Sequence, residues 1–357
     1  MDYDIQSILE EMEIKLYQNY KRAMARDIDK PAKQWRELQI LNLQQFKKEN
    51  RQIIQYYQKL LKKEVKKTMI QQYKEGAISV LREEDRTEQY FIDKIDNKKL
   101  NALLNAVNHD FAKANQAVLR QINDEYRKNI FKTMIYYNSG TISLPKSVDM
   151  ASEEFINRGL RSITYSDGKT LDICAYCDMA LRTESHRAKI VGEATQAAQF
   201  NIVTCYVSRH GSSCPLCAQF EGLWLLDDVN NDITKEQKEK YSDLITLSTA
   251  MNEGLFHPNC RHSLIYQEPD AEGLHDNKLR EQSESEKQKY KNEQYQRKLE
   301  RELRKEKRKA ATYIDSANRD KASKTVKELQ AELRAFTKET GLVRRYDREN
   351  NPLTRGK

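Results

Sequence analysis

The chain has 357 residues and a formal net charge of +8, with 32% charged and 38% hydrophobic residues. The 11 glycines and 6 prolines exclude collagen-like and low-complexity classes, and the composition favours long, solvated helices around a modest core. No stretch reaches the roughly 18 uncharged apolar residues of a membrane-spanning helix, and the acidic start is not expected to be a secretory signal. We therefore expect a reducing compartment, where the six cysteines are metal ligands or free thiols.

Residues 1–137 are predicted to form an elongated helical arm. Apolar residues recur every three or four positions over residues 2–28, which predicts an amphipathic helix that ends before Pro31. A second helical pattern runs from Ala32 to Lys74 and would span about 60 Å, and Gly76 is expected to break it. Helical periodicity then continues to the end of the arm. Helices of this length indicate a coiled coil, a bundle or an extended contact with partner subunits.

Residues 138–269 are predicted to form an α+β core domain. Ser152 is followed by two glutamates, which predicts the start of a helix. Residues 161–165 alternate polar and apolar side chains and lead into a turn-forming segment, which predicts a hairpin. A helix is expected over residues 173–200, and the β-branched residues 202–207 predict a strand after it.

The most specific feature of the sequence is a pair of Cys/His motifs. Cys214 and Cys217 form a C-x2-C turn, and His257 and Cys260 follow forty residues later in the element His-Pro-Asn-Cys-Arg-His. Two such turns separated by a loop of some tens of residues typically assemble a four-coordinate structural zinc site. We predict Cys214, Cys217, His257 and Cys260 as the ligands, with His262 as the main alternate histidine and His210 as a second alternate.

Two other interpretations of these motifs are open. A single C-x2-C pair can be unmetallated or redox-active. The spacing of His257, Asn259 and His262 invites comparison with the His-Asn-His nucleases, although the Asp-His pair expected of their general base is missing. A further pair, Cys174 and Cys177, lacks nearby third and fourth ligands and is interpreted as incidental thiols.

Residues 270–357 are predicted to form a basic helical tail. From Asp276 to Lys357 the chain carries 24 Lys/Arg and 15 Asp/Glu, so the positive excess lies here. A basic stretch attracts polyanions through counterion release, whereas a mixed-charge helix is often only a solvated face. The candidate nucleic-acid contacts are Arg301, Arg304, Lys305, Lys307, Arg308 and Lys309.

Several segments in the middle of the chain carry a resemblance to a known family. They are residues 208–211, the C-x2-C turn, residues 220–222 and the stretch 247–262 with its His-Pro-Asn-Cys-Arg-His element. Together they resemble the minor capsid proteins of tailed bacteriophages, which are similar to the Mu F-like head-morphogenesis proteins. The resemblance covers residues 130–350. The N-terminal helices share only their general helical character with the family.

The resemblance implies a structural component of the virion, at the portal region or capsid interior, rather than an enzyme. It implies portal, capsid or scaffold proteins as partners, a role in head assembly, DNA packaging or ejection, and residence in the host cytoplasm during assembly. Packaged DNA is a further expected partner of the tail, and no membrane segment is expected. The structural zinc ligands carry over as Cys214, Cys217, His257 and Cys260, with Arg261 and His262 as neighbours.

The expected fold class is α+β and predominantly α-helical. It combines long N-terminal helices, a small zinc-stapled α+β core domain and a basic helical C-terminal region. The first functional hypothesis is a portal-associated minor capsid protein. The alternatives are a zinc-dependent His-Asn-His-like nuclease acting on DNA, and a nucleic-acid-binding module unrelated to virions.

Overall fold

The computed structural model describes residues 5–83, 97–139, 142–164, 170–211, 213–257, 260–269 and 277–349. The chain divides into two units, each built from segments that are distant in sequence. Unit 1 comprises residues 1–62, 110–178 and 294–357, and unit 2 comprises residues 63–109 and 179–293. The boundaries between the units fall within helices. The division into an arm, a core and a tail at residues 137 and 269 stays a prediction.

Helices dominate the described residues. In chain order they are α1 (Ile5–Ala25), α2 (Ala32–Leu41), α3 (Leu43–Glu83), α4 (Asn97–Ser139), α5 (Leu144–Arg158), α6 (Ile173–Ala197), α7 (Pro215–Ala218), α8 (Lys235–Lys240), α9 (Leu247–Asn252), α10 (Glu284–Thr312), α11 (Ser316–Thr340) and α12 (Tyr346–Glu349). The strands are β1 (Arg161–Thr164), β2 (Thr170–Asp172), β3 (Thr204–Val207), β4 (Trp224–Leu226), β5 (Ile245–Thr246) and β6 (Leu264–Tyr266). The chain is therefore α+β and predominantly helical, as the sequence predicts. Among the described residues, no helix is both long and apolar enough to cross a membrane.

Helix α1 is the centre of unit 1 rather than a surface helix. Leu9, Met12 and Leu16 are fully buried, and burial extends to both sides of the apolar stripe seen in the sequence. Each such side chain contributes about 1.5–3 kcal/mol when removed from water. The helix ends at Ala25, and Asp27 adopts a left-handed backbone conformation with φ of 56° before the Pro31 break.

A buried polar network lies beside this apolar centre. The hydroxyl of Tyr20 lies 2.6 Å from Oγ of Ser152 and accepts a hydrogen bond of 2.8 Å from Nδ2 of Asn129. The hydroxyl of Tyr126 donates to Oε1 of Gln39 at 2.6 Å. Because buried polar groups are costly unless they are paired, these contacts favour one packing of α1, α2, α4 and α5 over its alternatives.

Two expected helix boundaries in the sequence are wrong. Gly76 does not break a helix, because α3 continues through it to Glu83, and a Cβ at this position would lie 2.2 Å from the carbonyl oxygen of Lys189. Ser152 does not start a helix either. Helix α5 already begins at Leu144 with a proline in its first turn, and the Ser152 hydroxyl donates to the carbonyl oxygen of Val148 within the helix.

The predicted hairpin is present as strands β1 and β2. The two strands pair antiparallel, with Thr164 opposite Thr170 and a register shift between Arg161 and Ile163. The predicted turn at residues 165–169 lies outside the described residues. Helix α6 follows β2 directly, close to the range that the sequence predicts.

The sheet of unit 2 has the strand order β5-β4-β3-β6. Strand β3 pairs antiparallel with both β4 and β6, while β4 and β5 run parallel. Cys205 and Val207 of β3 are fully buried, together with Leu225 of β4 and Tyr266 of β6. The predicted strand at residues 202–207 is thus the central strand, which explains its β-branched and apolar composition.

Helices α3 and α6 approach each other closely within unit 2. Both contact points have a glycine. A Cβ at Gly76 would meet Lys189, and a Cβ at Gly192 would lie 2.0 Å from the carbonyl oxygen of Tyr73. Any larger residue would force the two helix backbones apart. This crossing accounts for a glycine in the interior of a helix, where it is otherwise unfavourable.

Helix α10 from Gln294 onwards and helix α11 supply the C-terminal part of unit 1. Leu299, Leu303 and Leu333 form a small buried cluster between them. Asp149 of α5 accepts hydrogen bonds from the backbone N–H groups of Ile314 and Asp315, where the chain turns from α10 into α11. Helix α11 ends at Thr340, and Gly341 is its C-cap with a φ of 68°, the left-handed conformation that glycine adopts without a steric penalty.

Candidate metal centre

The C-x2-C turn is the short helix α7 and its N-cap. Cys214 is the N-cap residue, and its Sγ accepts a hydrogen bond of 3.4 Å from the backbone N–H of Cys217. Pro215 occupies the first turn, where its missing N–H is no loss. This local geometry brings both sulfur atoms to the same side of the turn, and Cys217 is fully buried.

The second motif lies between α9 and β6 and meets the first one. The backbone N–H of Cys260 donates to the carbonyl oxygen of His257 at 2.9 Å, which closes the turn. The Sγ atoms of Cys217 and Cys260 are 3.5 Å apart, and Nε2 of His257 lies 2.8 Å from Sγ of Cys214. Nδ1 of His262 lies 3.4 Å from Sγ of Cys260. The structure thus places the predicted ligands and the alternate histidine in two groups that share Cys217: Cys214, Cys217 and His257 form one, and Cys217, Cys260 and His262 form the other.

The three thiols alter one another's proton affinity. The hydrogen bond from the Cys217 thiol is the largest cause that lowers the pKa of Cys214 to about 3 and that of Cys260 to about 4. The same contacts with Cys214 and Cys260 raise the pKa of Cys217. The lowered pKa values of Cys214 and Cys260 favour the thiolate form of both side chains. A cation can bind to them, because thiolates are the form that binds metals.

A tetrahedral zinc ion suits these spacings. With Zn–S distances of about 2.3 Å and Zn–N distances of about 2.0–2.1 Å, neighbouring ligand atoms should lie about 3.5–3.8 Å apart. The Cys217–Cys260 and Cys260–His262 separations of 3.5 and 3.4 Å are close to that range. Cys214, Cys217 and His257 also form a group whose donor atoms lie within 4.8 Å of one another. The donor set is soft and mostly buried, which fits zinc rather than magnesium or calcium.

Glu221 contacts His262, and no motif in the sequence predicts it as a site residue. Its Oε1 accepts hydrogen bonds from Nε2 of His262 at 3.0 Å and from the backbone N–H of His210 at 2.9 Å. The Ser213 hydroxyl also contacts Oε1, and the guanidinium of Arg280 contacts Oε2. No sequence spacing links these residues, so only the fold could identify them.

The protonation of Glu221 and His262 follows from this burial and pairing. Burial alone would raise the pKa of Glu221, but hydrogen bonds from Ser213, His210 and His262 lower it overall. Burial alone would lower the pKa of His262, but its contacts with Cys260 and Glu221 raise it. The carboxylate is therefore ionised, and it fixes the position of the N–H on Nε2 of His262.

Among the cysteines whose side chains the structure describes, Cys177 and Cys205 belong to neither donor group. Cys205 is fully buried in β3, and burial strongly raises the pKa of its thiol. Cys177 is buried in α6 of unit 1. The side chain of Cys174 lies outside the described residues, so the interpretation of the Cys174/Cys177 pair as incidental thiols stays a prediction.

The predicted nucleic-acid contacts lie on α10 but differ in their surroundings. Arg301 is exposed, and Arg304 and Lys305 are half-buried. The amine of Lys307 is buried and donates to the carbonyl oxygen of Glu349 at 2.7 Å. Arg308 forms an ion pair with Glu13, and Lys309 forms one with Glu306. These four residues all belong to unit 1.

Comparison with known proteins identifies one family. The model of the family described as phage minor capsid protein 2 matches residues 3–338. The match includes the long N-terminal helices, the Cys/His cluster and most of α11. No curated protein and no solved structure shows a significant match to the chain.

Proposed function

The chain belongs to the phage minor capsid protein 2 family, and we propose that it acts at the portal of the phage head, where it assists head assembly, DNA packaging or ejection. As a member of this family it is a structural protein of the phage particle. The observation that carries the proposal is the extent of the match, residues 3–338, which leaves little of the chain for an unrelated activity. Its proposed partners are the portal and the capsid or scaffold proteins, which it would meet in the host cytoplasm during assembly.

Zinc is part of this proposal as a structural ion. The three thiolates of Cys214, Cys217 and Cys260, with one imidazole from His257 or His262, form a closed four-ligand set. Such a set joins the turn before β4 to the turn before β6 and stabilises the small sheet of unit 2. The spacing of the Cys/His cluster, its burial and the lowered pKa values of Cys214 and Cys260 support the ion.

Contact with packaged DNA is proposed for the exposed part of α10. Arg301, Arg304 and Lys305 retain partial or full exposure, whereas Lys307 is buried. Binding through such residues would depend on salt and not on sequence, since lysine and arginine recognise phosphates rather than bases.

Particle analysis tests the proposed location. Phage particles would be purified, cross-linked and analysed by mass spectrometry, with emptied heads as a comparison. The proposal predicts this chain in few copies, with cross-links to the portal protein. Its absence from heads, or cross-links only to tail components, would contradict the portal location.

A nuclease assay tests the enzymatic alternative. Both histidines of the His-Pro-Asn-Cys-Arg-His element face thiolates, and His262 also contacts a carboxylate, which supports a structural role for them. The purified chain, incubated with plasmid DNA and Zn²⁺ or Mg²⁺, should leave the DNA intact. Metal-dependent cleavage that the His262→Ala variant loses would favour the nuclease instead.

A further inference from the structure

Residues 277–283 lie along the loop that carries the C-x2-C turn. The side chain of Asn277 pairs with the backbone of Trp224, accepting from its N–H at 2.8 Å and donating to its carbonyl oxygen at 3.0 Å. Nε2 of Gln282 donates to the carbonyl oxygen of Ser213 at 2.7 Å. The segment 277–283, which we call the strap, is thus attached on both sides of Cys214 and Cys217.

Arg280 forms the central attachment of the strap. Its backbone N–H donates to the carbonyl oxygen of Gln219 at 3.0 Å. Its guanidinium contacts both Oε2 of Glu221 and Oε1 of Glu286 in the first turn of α10. Arg280 therefore joins the metal loop, the strap and the start of α10 through a single planar group, which suits arginine because its donors lie in a fixed fork.

Glu221 has a different partner on each of its two oxygens. Oε2 binds Arg280, while Oε1 accepts from Nε2 of His262. The Glu221 and His262 side chains are each only 1% exposed. With Nε2–H committed to Glu221, Nδ1 is the nitrogen of His262 that is left for a metal, and it faces Cys260 at 3.4 Å.

His257 is placed differently from His262. Its Nε2 lies 2.8 Å from Sγ of Cys214, which is shorter than the separation of about 3.5–3.8 Å expected for two ligands of one tetrahedral zinc ion. The two side chains are in hydrogen-bonding contact, with the donor set by the histidine tautomer. Carboxylate–histidine–zinc arrangements, by contrast, orient the ligand and its tautomer, which is the geometry of Glu221 and His262.

We propose that Glu221 links metal binding to docking of the strap, because its Oε1 holds His262 as the fourth metal ligand through Nδ1 and its Oε2 holds Arg280. This inference rests on the zinc centre of the proposed function. Glu221 is a positioning residue, not a ligand, since its charge is already balanced by Arg280 and its Oε1 already accepts hydrogen bonds. When the metal leaves, His262 loses one of its two anchors and the strap loses part of its support.

The first experiment measures zinc affinity of the full chain by competition with a chromophoric chelator. The Glu221→Gln variant keeps the shape but removes the charge, and it should bind zinc 10–100-fold more weakly than the wild type. His262→Ala should lose the bound ion, whereas His257→Ala should retain one zinc per chain. The control is Glu268→Gln, which removes an exposed carboxylate of unit 2 that contacts Lys240 and Tyr241.

The second experiment measures hydrogen exchange in peptides that cover residues 277–283. Removing zinc from the wild type should increase deuterium uptake there, and Glu221→Gln should increase it with zinc present. Arg280→Ala should also increase it while zinc remains bound, which separates strap release from metal loss. Circular dichroism would confirm that each variant is folded.

Two results would overturn the proposal while leaving the zinc centre intact. One is wild-type zinc affinity in Glu221→Gln, and the other is strap exchange that does not respond to zinc removal. If the wild-type chain itself binds no zinc, the metal centre of the proposed function fails, and this inference fails with it.

Discussion

Sγ of Cys217 and Sγ of Cys260 lie 3.5 Å apart, although 43 residues separate them in the sequence. The contact joins the turn before β4 to the turn before β6 in the sheet of unit 2. Short strands of two to four residues supply few ladder hydrogen bonds. A shared ion at this contact therefore has a clear structural use.

Loss of a thiolate should remove zinc and destabilise unit 2. We expect Cys217→Ser and Cys260→Ser to purify without zinc and to unfold at a lower temperature than the wild type, measured by calorimetry. The matched control is Cys205→Ala, which alters a buried cysteine of β3 that lies apart from the donor group. Cys205→Ala should keep its zinc, and loss of zinc in this variant as well would contradict the assignment.

The sequence indicated the two turns that carry the Cys/His motifs, but not the residues that contact them. The spacing of Cys214, Cys217, His257 and Cys260 identified the turns that meet, because metal-binding turns have a local signature. Glu221 and Arg280 have no such signature, since their partners come from distant segments. The contacts of a carboxylate with a histidine 41 residues away and an arginine 59 residues away exist only in the folded chain.

Helix boundaries failed where tertiary contacts override local propensity. Glycine has a low intrinsic helix propensity, which favours a break at Gly76. The close approach of α3 to α6 nevertheless requires a residue without a side chain at this position. Ser152 resembles an N-cap in sequence, yet its hydroxyl is used inside α5 and beside Tyr20. In contrast, Pro31 acts through backbone conformation alone, and the helix break before it was predicted correctly.

The helix crossing in unit 2 should not tolerate a methyl group. Gly76→Ala and Gly192→Ala would each place a Cβ about 2 Å from a backbone oxygen and should lower the free energy of unfolding by about 1–3 kcal/mol. Denaturant titration of the two variants would measure this. Gly211→Ala is the control, since its nearest neighbour is the flexible Lys289 amine at 3.3 Å. Equal stability of Gly76→Ala and the wild type would contradict the close crossing.

Acid should weaken the start of α10. Contacts with Arg280 and Ser283 lower the pKa of Glu286 to about 2, so this carboxylate binds its proton less readily in the folded chain than in the unfolded one. Its stabilising contribution is present above the unfolded pKa, near 4.5, and is lost as the pH falls towards 2. Glu286→Gln should therefore remove part of the stability difference between pH 5 and pH 3. An unchanged difference in this variant would refute the assignment.

The exposed and buried basic residues of α10 should respond differently to substitution. We expect Arg301→Ala combined with Lys305→Ala to weaken binding to duplex DNA and to reduce its salt dependence, by roughly one in the log–log slope per lost phosphate contact. Lys307→Met should instead lower thermal stability, because the buried amine holds the carbonyl oxygen of Glu349. Fluorescence anisotropy at several salt concentrations would measure binding, and unchanged affinity in the double variant would contradict the proposed contact.

The zinc content of the full chain, purified without chelators and measured by mass spectrometry of the metal, tests the metal centre most directly. We predict one zinc ion per chain, which Cys214→Ser and Cys260→Ser both lose. A metal-free chain that binds no added zinc, yet keeps β3, β4 and β6 protected from hydrogen exchange, would contradict it.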